Sequence, residues 1–169
     1  DFQASYAFPE FGGGDLTLGV EGSYMIEYKR GPLQTLEGVT ILAGIDRVNK
    51  AELISSFYSY PQIKANAFAN WSQDIHNLRA TVRFVGEMED QNHPVPVANS
   101  TTPNYAKIGS YVQLDLVYRV ELPWDTTVTA SINNLFDEEP SFVWSQYNYD
   151  YTLGNPLGRT YGLAVRKRF

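Results

Sequence analysis

Apolar and polar residues alternate over long stretches of this chain, and that period of two constrains the fold more than any other feature. In the run DLTLGVEGSYMIEYKR (residues 15–30), leucine, valine, isoleucine and tyrosine hold most even positions, while charged and hydroxyl side chains hold most odd ones. A period of two puts the apolar side chains on one face of a β-strand and the polar ones on the other. Strands of soluble domains usually end after about 5–6 residues, so a two-faced strand of about 14 residues favours a membrane β-barrel.

The same alternation recurs in six further segments, which gives seven predicted strands in total. Helical periodicity is weak and is visible only in NKAELISSF, residues 49–57. The six further predicted strands are 2–8, 62–71, 77–88, 110–122, 126–133 and 159–169.

The connections between these segments alternate in length. Short ones span residues 9–15, 72–77 and 123–125, and long ones span 31–60, 89–109 and 137–158. Outer-membrane barrels have tight turns on the periplasmic side and extended loops on the outer side. The alternation of short and long connections therefore favours such a barrel. The alternative is a soluble secreted β-sandwich, in which a second sheet would cover the apolar faces.

Composition excludes several function classes. The chain has no cysteine, which removes disulfides, thiolate metal sites and cysteine nucleophiles. Its two histidines, His76 and His93, fall on opposite sides of the predicted barrel. We therefore expect neither an enzyme nor a bound metal or cofactor. A net charge of −6 argues against a nucleic-acid partner.

Aromatic residues make up 14% of the chain and mark the ends of several predicted strands. Aromatic side chains at both interfaces form the girdles of membrane barrels. The chain shows six full strands and a seventh that starts abruptly, whereas bacterial single-chain barrels have an even number. We therefore expect residues 1–169 to be the C-terminal part of one larger barrel domain. The predicted girdle residues are Tyr28, Trp71, Tyr118, Trp124, Phe136 and Tyr161.

The last third of the chain resembles the C-terminal signature of TonB-dependent outer-membrane receptors. The resemblance rests on ASINNLFDEEP, then YNYD, then NPLGRTYGLAVRKRF. The earlier segments SYMIEYK and WSQDIHNLRATVRFVGE are similar to strands of the carbohydrate and siderophore members. The residues that carry the signature are Asn134, Leu135, Phe136, Asp137, Pro140, Tyr149, Asp150, Gly158, Arg159, Tyr161 and Phe169.

This resemblance implies an all-β, antiparallel transmembrane barrel of 22 strands with an N-terminal plug in its lumen. This chain would supply about seven strands, the last third, and the plug and earlier strands would lie upstream. The implied function is TonB-coupled uptake of a siderophore, cobalamin or carbohydrate across the bacterial outer membrane. The implied partners are outer-membrane lipid, the nutrient ligand, TonB through the N-terminal part, and the barrel-assembly machinery.

The family's terminal strand also carries the signal for barrel assembly. In this chain the resemblance assigns that signal to Tyr161, Leu163, Val165 and Phe169, while Lys167 departs from the hydrophobic alternation. A complete small outer-membrane barrel with an adhesive or structural role is the alternative to a receptor.

Two predicted loops carry aromatic clusters that are candidate ligand contacts. Aromatic rings beside amide and carboxylate groups can stack on sugar rings, but they can equally pack a loop upon itself or extend the aromatic girdle. These interpretations all remain open from the sequence. The candidates are Phe57, Tyr58 and Tyr60 in one loop, and Trp144, Tyr147, Tyr149 and Tyr151 in another.

Overall fold

The computed structural model describes residues 1–55, 57–96 and 104–168. The regular secondary structure of these residues consists of β-strands alone. The described residues contain no helix that is long and apolar enough to cross a membrane. The strands are β1 (Phe2–Phe11), β2 (Gly14–Tyr24), β3 (Lys29–Arg30), β4 (Leu33–Gln34), β5 (Thr40–Leu42), β6 (Ile45–Asp46), β7 (Lys50–Glu52), β8 (Tyr58–Tyr60), β9 (Ile63–Gln73), β10 (His76–Val85), β11 (Met88–Val95), β12 (Asn104–Ile108), β13 (Tyr111–Leu122), β14 (Thr126–Asn133) and β15 (Thr160–Lys167).

Seven of these strands form one antiparallel sheet in the order β1-β2-β9-β10-β13-β14-β15. These are the seven strands that the alternation predicts, in sequence order. Their lengths run from 8 to 12 residues, which brackets the roughly 9–11 residues of a tilted membrane-spanning strand. Within the described ranges, β1 and β15 are the two edges of the sheet.

The register gives the sheet two chemically different faces. One row of paired residues crosses all seven strands, and every member of it is apolar or tyrosine; we call its side of the sheet the apolar face. The opposite side, the polar face, carries rows such as Gln3, Glu21, Asn66, Arg83 and Gln113. Slipping a strand by one residue would exchange its two faces, so the pattern fixes the register. The apolar row is Tyr6, Leu18, Ala69, Ala80, Leu116, Ile132 and Tyr161.

Many side chains of the apolar face are exposed, among them Leu18, Val82, Val112 and Leu163. A soluble sandwich requires a second layer over this face, and the described residues do not form one. Their buried apolar residues instead cluster in the long connections, beyond the ends of the strands.

Short turns join the strands at one end of the sheet, which we call the turn edge. Long connections join them at the opposite end, which we call the loop edge. Residues 12–13, 74–75 and 123–125 make the turns, and residues 25–62, 86–110 and 134–159 make the connections. Left-handed backbone closes the turns, with φ of 60° at Gly12, 80° at Gly13 and 61° at Trp124. The alternation of short and long connections predicted from the sequence is confirmed.

Aromatic residues line the sheet near its turn edge. Phe8, Trp71 and Tyr118 belong to one row of the apolar face. The Trp71 indole N–H donates to the Phe11 carbonyl at 3.1 Å, and the Tyr118 hydroxyl lies 2.6 Å from His76 Nδ1. Indole and phenol groups satisfied in this way suit a boundary between apolar and aqueous surroundings.

Three sequence expectations are wrong. The strand predicted for 15–30 ends at Tyr24. The Met25 N–H still bonds to Gln62 O and continues the pairing of β2 with β9, but the chain beyond it leaves the main sheet and enters the separate ladders β3–β6 and β4–β5. Tyr28 accordingly packs on Tyr60 in the connection. The strand predicted for 77–88 ends at Val85, and Met88 begins β11 in a different sheet. The helical pattern over 49–57 corresponds to strand β7, and no described residue of that stretch is helical.

Candidate functional site

The three long connections pack together at the loop edge of the sheet. Strands β7, β8, β11 and β12 form a four-stranded sheet there, and residues 137–158 lie against it; we call this assembly the loop cap. Its core gathers apolar side chains from all three connections, and no sequence periodicity marks these residues because they come from short, irregular segments. The core consists of Ala51, Leu53, Met88, Ile108 and Val143, with Leu153 packed against it.

Two buried aspartates tie residues 137–158 to the rest of the loop cap. Asp90 in β11 accepts a hydrogen bond from the Trp144 backbone N–H at 2.6 Å. Asp150 accepts a hydrogen bond from the Ser59 hydroxyl and from Thr152 N–H at 2.8 Å. A buried carboxylate is stable only when such donors satisfy it. Asp150 of the predicted YNYD motif therefore has a clear structural role.

The first aromatic candidates, Phe57, Tyr58 and Tyr60, differ in how they are placed. Phe57 is exposed, whereas Tyr58 is buried and stacks on Tyr60 with ring centroids 5.7 Å apart. The Arg47 guanidinium lies 4.3 Å from the centre of the Tyr58 ring. Burial raises the pKa of the Tyr58 phenol, and a hydrogen bond with Tyr28 raises the pKa of Tyr60. Tyr58 and Tyr60 thus pack the loop cap, and Phe57 alone of the three is open to solvent.

The second aromatic candidates lie on the outside of the loop cap. Trp144, Tyr147 and Tyr151 are exposed, and Tyr149 is half-buried. The Tyr147 ring centre lies 5.5 Å from that of Tyr151 and 6.3 Å from that of Tyr149, which makes these three tyrosines one cluster. The Trp144 ring lies 5.0 Å from His93. These residues present ring surface to solvent, and their role as ligand contacts stays a prediction.

An open cavity of about 1030 Å³ lies between the polar face and residues 152–155 of the loop cap. Its wall includes Asn66, Arg83 and Gln113 from three neighbouring strands. These residues are not among the sequence candidates, because alternating polar residues in a strand signal only a face and not a site. Their convergence depends on the register of the sheet and on where residues 137–158 fold back.

Beside this cavity, a buried carboxylate accepts hydrogen bonds from several groups of the polar face. Asp115 is almost fully buried and accepts from Gln113 Nε2 at 2.5 Å and from the Asn134 backbone N–H at 2.9 Å. Arg83 Nε lies 2.8 Å from its second oxygen. This network connects β10, β13 and the chain beyond β14. Asn134, the first residue of the NLFD motif, also bonds Glu138 in both directions through its side-chain amide.

The proposed assembly signal lies on the edge strand. Tyr161, Leu163 and Val165 are all exposed on the apolar face of β15. Phe169 lies outside the described residues. Among the residues that are described, no group of three or more acidic, histidine or cysteine side chains is placed to hold a metal ion.

Comparison with known proteins gives one informative likeness. No family model matches the chain, and no curated protein sequence matches it. Among solved structures, the chain is similar to a mutant of the ferric enterobactin receptor of Pseudomonas aeruginosa, with a TM-score of 0.51 and 17% identity. The match covers 96% of this chain and 21% of that one, so the chain spans about a fifth of the receptor's length. At this identity the likeness shows the fold alone, and it confirms the all-β, antiparallel fold class.

Proposed function

We propose that this chain is the C-terminal segment of the barrel of a TonB-dependent outer-membrane receptor that imports a scarce nutrient. The observation that carries the proposal is the two-faced sheet, with an exposed apolar face, short turns at one edge and long packed loops at the other. The likeness to about a fifth of a siderophore receptor, over nearly all of this chain, supports a segment of a larger barrel.

The exposed apolar face is the strongest argument for a lipid environment. Contiguous apolar patches on soluble proteins seldom exceed a few hundred Å². Here an apolar row crosses seven strands, and the rows beside it are apolar as well. In hydrocarbon every backbone N–H and C=O must be paired within the protein, which a closed barrel achieves. The open edges of β1 and β15 would then pair with further strands of the same barrel.

In this proposal the loop cap faces the cell exterior and the polar face lines the lumen. The nutrient ligand contacts the loop cap first and then passes along the polar face. TonB acts through a part of the protein upstream of this segment, and no residue of this chain is assigned to that contact. The segment has no enzymatic role, and the barrel-assembly machinery reads the apolar face of β15.

An immunoblot of purified outer membranes tests the proposal. Serum raised against residues 137–158 should detect a band several times larger than the 19.1 kDa of this chain, in the outer-membrane fraction and absent from the soluble one. A membrane band near 19 kDa would instead support the small adhesive or structural barrel. A soluble band would overturn the membrane proposal altogether.

A further inference from the structure

Most of the polar side chains that line the cavity beneath the loop cap are neutral hydrogen-bonding groups. Side-chain amides come from four strands of the sheet and from the loop cap, and Ser23 and Thr152 add hydroxyls. Amides and hydroxyls both donate and accept hydrogen bonds, so they complement a ligand that is itself rich in hydroxyl groups. The amide residues are Gln3, Asn66, Gln113, Asn133 and Asn155.

The charged groups of the cavity balance one another. Asp1 and Glu21 oppose Lys64 and Arg83 among the lining residues. Arg83 is moreover paired with Asp115, which is almost fully buried. The cavity therefore offers no surplus of positive charge to an anionic ligand.

The loop-cap segment that contributes to the cavity wall carries acidic side chains but no basic ones. The exposed charged residues of segment 137–158 are Asp137, Glu138 and Glu139, and the segment contains no lysine or arginine. The same segment carries the exposed rings of Tyr147 and Tyr151, and its residues 152–155 line the cavity. The faces of aromatic rings carry negative partial charge and repel anions, whereas they stack readily on the C–H faces of a sugar.

We propose that the nutrient is a neutral, polyhydroxylated molecule, an oligosaccharide, and not an anionic iron chelate. Its C–H faces stack on the tyrosine cluster of residues 147–151, and its hydroxyls bond to the cavity amides. This inference rests on the proposed function, because it requires the loop cap to face the exterior and the polar face to line the lumen.

Calorimetric titration of the full-length receptor, purified in detergent, tests the inference. The probes are neutral malto-, cello-, xylo- and manno-oligosaccharides, each compared with a ferric catecholate chelate as the anionic probe. We expect at least one neutral series to bind and the chelate not to. Since one aromatic contact contributes about 0.5–1.5 kcal/mol, Tyr147→Ala should weaken binding about two- to twelvefold.

Matched variants separate binding from folding. Asn66→Ala should also weaken sugar binding, whereas Asn70→Ala, on the same strand face outside the cavity, should not. Leu157→Ala, exposed in the same loop, is the control for Tyr147→Ala. Each variant is first checked for retention of folded-barrel mobility on an unheated gel.

Three results would overturn the inference. The first is preferential binding of the chelate, the second is the absence of sugar binding, and the third is sugar binding that neither Tyr147→Ala nor Asn66→Ala changes. Each of these results leaves the outer-membrane immunoblot unaffected, so failure of the ligand assignment is distinguishable from failure of the receptor proposal.

Discussion

The side of the sheet on which a charge is placed should decide whether the barrel tolerates it. Ile132 and Ser131 are neighbours on β14, but Ile132 pairs with Leu116 and Tyr161 in the apolar row, whereas Ser131 pairs with Val117 and Gly162 on the polar face. Ile132 is the penultimate residue of β14, but it pairs with Leu116 at the middle of β13, so in the proposed barrel it lies within the lipid-facing apolar band. An arginine at the midplane of a lipid-facing strand costs about 2–4 kcal/mol.

We therefore expect Ile132→Arg to lower the free energy of unfolding by about 2–4 kcal/mol. Ser131→Arg should lower it by less than about 1 kcal/mol, because in the proposed barrel its side chain faces the aqueous lumen. Leu122→Arg supplies a control for depth, since Leu122 ends β13 at the turn edge, where the cost falls to about 0–1 kcal/mol.

The assay is urea unfolding of the full-length protein in phospholipid vesicles, followed by tryptophan fluorescence and by gel mobility without heating. Comparing midpoints at a fixed incubation time keeps the ranking meaningful even if unfolding is irreversible. If the apolar face met water, Ile132→Arg would change stability by no more than about 0.5 kcal/mol. Equal effects of Ile132→Arg and Ser131→Arg would refute the assignment of the two faces.

Three further predictions concern the loop cap and the network beneath it. Val143→Ala removes two methyl groups from the fully buried side chain in the loop-cap core and should lower the stability of the loop cap by about 1–2 kcal/mol. Hydrogen exchange should then accelerate in β7 and β11 and stay unchanged in the main sheet. Asp115→Ala removes the acceptor of the Asn134 N–H, so exchange in peptides spanning residues 130–137 should rise by about one order of magnitude or more, and unchanged exchange would exclude the network as a constraint. Burial raises the pKa of Tyr58 above its ordinary 10.0; the folded state then keeps a proton that the unfolded chain loses, so the loop cap should lose stability as the pH rises above about 10. Tyr58→Phe should reduce that loss of stability, which is measured as the hydrogen-exchange protection of residues 50–60 at increasing pH.

The main sheet was predictable because each of its strands repeats one physical signal. Residues 111–122 alternate over 12 positions, and a strand with two different faces has only one register that keeps all apolar residues together. The connection lengths then fixed which strands pair as neighbours. Strand ends were less predictable. Ile26 and Tyr28 continue the alternation beyond Tyr24, although backbone hydrogen bonding to the sheet stops at Met25.

The loop cap was not predictable, because long-range contacts create it. No sequence pattern near Val143 predicts that this residue packs with Ala51 and Met88, which lie in the other two long connections. The aromatic candidates show the same limit. The sequence marks Tyr58 and Tyr147 equally as candidate ligand contacts, but only the fold shows that Tyr58 is buried and Tyr147 is exposed.

Cysteine labelling in living cells tests the central claim most directly, since the chain itself has no cysteine. Glu37→Cys lies between β4 and β5, within the long connection of residues 25–62, and Ile75→Cys lies in the short turn between β9 and β10; both sites are exposed. A membrane-impermeant maleimide should label Glu37→Cys in intact cells, and Ile75→Cys only after the outer membrane is permeabilised, with the unsubstituted protein as background. Equal labelling of both sites in intact cells, or labelling of the turn alone, would contradict a barrel segment whose long loops face the exterior.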